Sequence, residues 1–178
     1  ERLLAVKWTQ KAVDTASRVN AEVVVIHAGT VEFPDDISAK LLKLCKQGQK
    51  DMKEFMSLLN EFLTKRRKHR GPYVDAVAKS LKEILPYART KQIKIGLETR
   101  YYPTEIPNYE EIGELLNLFK GQGMYYWHDF GHAEVNERLG ITPHVKYLES
   151  YQDQLIGFHI HGVKGLKDHQ APFDGDFD

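Results

Sequence analysis

Hydrophobic and polar positions along this chain alternate between two rhythms. From Leu3 to Val19 the apolar residues Leu4, Val6, Trp8, Ala12, Val13 and Ala16 recur in a helical rhythm, which predicts an amphipathic helix stopped by Asn20. Glu22 to Ile26 is then a β-branched run that reads as a buried strand. Pro34-Asp35-Asp36 opens a long helical region with an acidic start, carried by Ile37, Leu41, Leu44, Met52, Phe55, Met56, Leu59 and Phe62. Gly48 is placed to break or kink it. Gly71-Pro72 punctuates, and Tyr73 to Arg89 resumes the helical rhythm through Val74, Val77, Leu81, Ile84 and Leu85.

Three further strands are predicted at Ile93 to Leu97, Met124 to Trp127 and Leu155 to Ile160. A long loop with two prolines, Arg100 to Pro107, follows the first of them, where α/β enzymes place substrate contacts. Asn108 reads as an N-cap with Glu110 and Glu111 at the positive end of a helix running to Lys120. A short helix follows His132, and the tail from His161 to Asp178 shows no periodicity. Helices alternating with strands imply right-handed crossovers and a parallel sheet, the α/β class. Four strands are too few to close a (β/α)8 barrel, which takes about 250 residues, so the sheet is either open or part of a barrel.

Charge and composition narrow the partners. The 178 residues hold 25 basic and 25 acidic side chains, so no global field steers the chain onto nucleic acid or an anionic membrane. The run Lys65 to Arg70 is a solvated helix end or, alternatively, a phosphate-binding patch. No stretch approaches the roughly 18 apolar residues that span a bilayer. The one cysteine, Cys45, has no partner in the chain and reads as a partly buried small residue, which excludes an internal disulfide and points to a cytoplasmic setting.

Every predicted strand ends near a metal-ligating side chain. The segments are Val-Val-Val-Ile-His27, Ile-Gly-Leu-Glu98-Thr-Arg100, Trp127-His128-Asp129-Phe-Gly-His132 and Gly-Phe-His159-Ile-His161. Imidazole and carboxylate together are a divalent-metal ligand set. Each alone has a plainer reading. Glu98 could be a strand-end acid paired with Arg100, and Asp129 could cap the next helix with His132 exposed in its first turn. Gly131 would permit the tight bend between Asp129 and His132. His159 and His161 alternate along the last strand and so share a face. His169, in Lys167-Asp168-His169-Gln-Ala-Pro172, also fits simple turn chemistry. Phosphate-binding glycine loops and a serine elbow are absent from the sequence, and Cys45 sits away from any strand end.

The ordered set Gly-Leu-Glu98, His128-Asp129-Phe-Gly-His132 and Gly157-Phe-His159-Ile-His161 through Asp168-His169-Gln-Ala-Pro172 resembles the xylose-isomerase-like (β/α)8 superfamily. That superfamily comprises sugar-phosphate isomerases and epimerases and also the zinc-dependent apurinic-site endonucleases. The resemblance runs from Val23 to Asp178 and matches strands three to six of eight, a single domain over residues 1–178 that is incomplete at both ends. It implies that Glu98, Asp129 and His159 hold a divalent ion (Mn, Mg or Zn), and that Glu98 also serves catalysis by moving a proton. A Glu from a later strand, absent here, would complete both sets. His132 would contact substrate or bind metal, and His27 and His169 match further metal ligands of the endonucleases. Beside these, His161 and Arg100 are taken as substrate contacts.

Two departures stand out: Gly162 replaces a frequent acid, and Asp168 is offset from a metal-binding Asp of the endonucleases. The implied activity is metal-dependent isomerisation or epimerisation of a sugar or sugar phosphate by carboxylate proton transfer through a stabilised enediolate. A zinc-dependent phosphodiesterase acting on abasic DNA is the alternative, against which neutral charge weighs, and a catalytically inactive binding module is the third. The expected partner is a small carbohydrate, with no membrane, and open strand edges invite pairing with another copy.

Overall fold

The computed structural model describes residues 1–33 and 36–176, so Pro34 and Asp35 of the predicted acidic helix start, and Phe177 and Asp178 of the domain span, lie outside the described residues. The chain enters through α1 (Arg2–Arg18), β1 (Val23–Ile26) and the short β2 (Gly29–Thr30). Then come α2 (Ile37–Lys46), α3 (Lys53–His69) and α4 (Gly71–Thr90). Next are β3 (Lys94–Glu98), β4 (Glu105–Ile106), α5 (Tyr109–Leu118), β5 (Met124–Asp129), α6 (Phe130–Arg138) and α7 (His144–Tyr151). Finally β6 (Leu155–His159) leads into a hairpin of β7 (Gly162–Lys164) and β8 (Lys167–Gln170).

The four predicted strands form one parallel sheet in the order β1-β3-β5-β6. Chain order equals spatial order, so each crossover advances the sheet by one strand in the same direction, as in a (β/α) barrel wall. Helices cover one face: Ile95, Leu97 and Tyr126 of the sheet pack with Val13 of α1, Leu81 and Leu85 of α4, and Ile112 and Leu115 of α5. A second cluster joins α2 to α3 through Leu41, Phe55, Leu59 and Phe62.

Local chemistry explains most boundaries. Asn20, at φ 55°, takes the left-handed conformation that ends α1, and Gly48, at φ 71°, separates α2 from α3. Asn108 caps α5 by accepting from the Glu111 N–H at 2.9 Å, while Glu111 returns the bond to the Asn108 N–H at 2.8 Å.

Several expectations need correction. Leu4 and Trp8 face solvent rather than the core, because only Val6, Val13 and Ala16 of α1 point at the sheet and α4. The tail is not structureless: β7 and β8 pair antiparallel around Gly165, whose φ of 59° makes the tight turn. Nor is the basic run wholly solvated. Arg66 is 2% exposed and holds both Glu111 carboxylate oxygens, at 2.7 and 2.9 Å, and the carbonyls of Pro103 and Glu105. Arg70 adds Glu111 and Glu114. The run therefore clasps α3 to α5 and to the loop that follows β3. Among the described residues, no helix is long and apolar enough to cross a membrane.

Candidate metal centre

Strand parity decides which side chains meet. Along β5, Tyr126 and His128 turn toward the helices, with ring contacts to Tyr151 and Tyr147, whereas Trp127 and Asp129 turn to the uncovered face. Parallel register sets Glu98 beside Trp127 and Asp129 beside His159, at the C-terminal ends of three neighbouring strands. Glycines flank the Trp127 ring: a Cβ at Gly96 would press on it, and one at Gly157 would overlap it.

Glu98 and Asp129 are buried, at 1% and 0% exposure, while the His159 side chain is half exposed. His159 Nδ1 lies 2.6 Å from Glu98 Oε1 and 3.5 Å from Asp129 Oδ2. The other Glu98 oxygen receives Arg100 at 2.8 Å and His27 Nε2 at 2.6 Å. One ligand atom from each of Glu98, Asp129 and His159 lies within 4.8 Å of the others. Two buried carboxylates carry a desolvation cost that requires compensation. Arg100 supplies one permanent positive charge, and imidazoles supply charge only when protonated, so this donor set fits a divalent cation.

A second group adjoins the first. His132, His161, Asp168 and His169 also bring ligand atoms within 4.8 Å. His132 Nδ1 donates to the Thr99 carbonyl at 2.8 Å, which leaves a lone pair on Nε2 facing Asp168 Oδ2 at 3.4 Å. Two acceptors that face each other this closely call for a proton or a cation between them. His161 Nδ1 accepts the His169 N–H at 3.0 Å, so its Nε2 donates to Asp129 at 3.1 Å and ties the two groups together. The His161 and His169 rings stack at 4.3 Å.

His161 reaches this place by a route other than alternation. Strand β6 ends at His159, and His161 bends back over α6 instead of continuing the strand. Gly131 makes room for it: the glycine is helical, with no positive φ, and a Cβ there would overlap the His161 ring. The plainer reading of Asp129 also holds in part, since its Oδ1 accepts the His132 N–H at 2.8 Å and caps α6, but His132 is buried. Arg100 is buried with Nη1 on Glu98 and Nη2 on Glu105, both at 2.8 Å, and it lines the cavity over the site.

That cavity, of about 470 Å³, is also lined by residues the sequence did not single out, namely Lys46, Tyr101, Tyr102, Glu105 and Lys167. Tyr101 and Tyr102 belonged to the flagged loop after β3, but nothing in the sequence marked Lys46. Burial, and then the nearby Asp168, push the Tyr101 phenol up to about 12, so it stays protonated and donates to the Leu166 carbonyl at 2.6 Å. On the helix side, His128 belongs to a separate chain of contacts. Thr99 Oγ1 meets the Tyr126 hydroxyl at 2.7 Å, the hydroxyl meets His128 Nδ1 at 2.6 Å, and His128 Nε2 meets His144 at 3.0 Å. Burial, and then His144, lower the His128 pKa to about 4.

No family model and no curated protein matches the sequence. Solved structures do. A D-tagatose 3-epimerase-like protein superposes at TM-score 0.66 with 20% identity, covering 99% of this chain and 55% of its own. A 3-keto-D-glucoside 4-epimerase from E. coli gives TM-score 0.58 at 15% identity, covering 97% and 54%. A xylose isomerase domain protein from Planctomyces limnophilus gives 0.57 at 13%, covering 96% and 50%. The chain thus has the fold of part of a xylose-isomerase-like TIM barrel and spans about half the length of these structures. At such identities the likeness is one of fold.

Proposed function

We propose that this chain carries the cation site of a divalent-metal-dependent sugar isomerase or epimerase. The observation that supports it best is the meeting of Glu98, Asp129 and His159 at the C-terminal ends of three adjacent parallel strands, where barrel enzymes hold their chemistry. Several solved structures of this fold are named as sugar epimerases, and another as a xylose isomerase domain protein. Glu98, Asp129 and His159 would hold the ion, with His27 beside Glu98. When bound, the cation supplies the charge that lowers the cost of removing a carbon-bound proton next to a carbonyl. Glu98 would accept and return that proton. Arg100, fixed between Glu98 and Glu105, orients the carboxylate. His132, with its tautomer set by the Thr99 carbonyl, offers Nε2 to a substrate hydroxyl.

Metal analysis tests the site. Stoichiometric manganese, zinc or magnesium is expected on the purified chain, and Glu98→Gln or His159→Ala should remove it. Unchanged metal content in both variants sinks the assignment. Deuterium uptake from D2O at the carbon beside a ketohexose carbonyl, followed by proton NMR, tests the proton transfer.

A second reading, a zinc-dependent phosphodiesterase for abasic DNA, draws on the second group of His132, His161, Asp168 and His169. Metal count separates the two: one ion per chain favours the isomerase and three zincs the nuclease.

A further inference from the structure

A second cavity, of about 490 Å³, stands beside the candidate metal centre with a lining of different character. Its walls are the end of α2, the turn after it, Arg138 of α6 and the tip of the β7–β8 hairpin. Lys46, Lys50, Lys164 and Lys167 line it, and Asp51 is the one carboxylate among its lining residues. None of these four lysines forms an ion pair with any described residue. Arg138, in the same wall, is already matched by Glu134 at 2.7 Å and Asp176 at 2.6 Å. This sets the cavity apart from the basic run of α3, where Arg66 and Arg70 are consumed by Glu111 and Glu114.

Elements distant in sequence thus deliver four cationic groups to one concave space. Like charges gathered over low-dielectric walls repel one another and focus a positive potential, which a dianion relieves. The cavity volume suits a small molecule rather than a polymer. Lysine, as a mobile point charge with three donors, is an established partner for phosphate oxygens. Lys46, Leu166 and Lys167 also line the cavity that contains Glu98, His132 and His159, so the two spaces share a wall.

We propose that the lysine-lined cavity binds the phosphate of a phosphorylated sugar whose carbonyl end lies at Glu98, Asp129 and His159. This rests on the isomerase reading for the sugar end, while the anion site stands on its own lining. A phosphate monoester carries nearly two negative charges at neutral pH and three acceptor oxygens, enough for several of the four ammonium groups. The hairpin sets the reach, because Lys164 and Lys167 flank its turn while Asp168 and His169, the next residues along β8, face the second group.

The test is calorimetric titration of the whole chain at fixed ionic strength, in EDTA so that no metal captures the anion. Inorganic phosphate should bind, and D-fructose 6-phosphate should bind at least about ten-fold more tightly than D-fructose, the scale of one charge-assisted hydrogen bond. Lys164→Gln with Lys167→Gln should erase that ratio, while the paired Lys→Arg changes should keep most of it. The lysines are exposed, and circular dichroism of the same samples verifies folding. Absence of phosphate binding, a ratio untouched by the Gln pair, or tighter binding of a short abasic duplex than of the sugar phosphate would each overturn the proposal. Manganese titration of the same variants without EDTA separates the two readings. Phosphate binding without a metal site defeats the isomerase reading alone, and metal without phosphate binding defeats only the anion site.

Discussion

Adjacent residues of one strand, His128 and Asp129, enter two polar clusters that differ in every respect that matters. On the helix side, Thr99, Tyr126, His128 and His144 form a hydrogen-bonded chain in which each finds a protein partner. On the uncovered side, the carboxylates of Glu98 and Asp129 are buried and ringed by the imidazoles of His27, His159 and His161. A satisfied hydrogen-bonded network contributes to folding and to a unique packing. A cluster of buried carboxylates contributes little to folding and much to cation binding. Ligand chemistry is thus assigned by strand parity, not by residue type.

The contrast breaks if one substitution moves both properties. Asp129→Asn keeps an acceptor for the His132 N–H but removes a charge. We expect manganese affinity to fall by about 100-fold or more, at least the upper range for an outer-sphere partner, with unfolding free energy changed by less than about 1 kcal/mol. His128→Ala should do the reverse: a loss of about 3 kcal/mol in urea unfolding, from a buried cavity and a Tyr126 hydroxyl left with Thr99 as its one partner, with manganese affinity nearly intact. Equal effects on both readouts would erase the distinction.

Next comes pH. The folded-state pKa of His128, about 4, lies below the ordinary histidine value of 6.5, so the unfolded chain takes the proton first. Its stabilisation is fully present above pH 6.5 and is lost as pH falls toward 4, by at most about 3 kcal/mol. Urea midpoints of wild type and His128→Gln should therefore converge across that window. Parallel curves would mean His128 does not titrate this way. Metal supplies the third probe: manganese at 100 times its Kd should raise wild-type stability by about 2.7 kcal/mol and leave Asp129→Asn unmoved. Smallest is the α5 cap. Asn108→Ala should cost about 1 kcal/mol in the melting curve and leave both clusters alone.

The sheet was legible because four short β-branched or aromatic runs each end in a turn signal, and the carboxylates and histidines were legible because they sit at those ends. What stayed hidden depended on geometry that spacing does not encode. Whether β6 stops at His159 or reaches His161 turns on how the hairpin folds back, and residues 162–170, polar and lysine-rich, carry no strand rhythm. Arg66 was masked by its basic neighbours, since its burial depends on Glu111, forty-five positions away. Gly131 was correctly marked as special but for another reason, because the intruding ring of His161 comes from beyond the next strand.

The setting of Trp127 gives the site its own lamp. Its indole lies over Gly96 and Gly157, its ring meets His159 at 5.2 Å, and its Nε1 is buried with no partner among the described residues. Emission from such an indole responds to whatever charge settles on the neighbouring imidazole. The only other tryptophan, Trp8, is exposed on α1, so Trp8→Phe leaves a single emitter at the centre. Occupancy of the metal centre can then be followed by light, in real time and without a label.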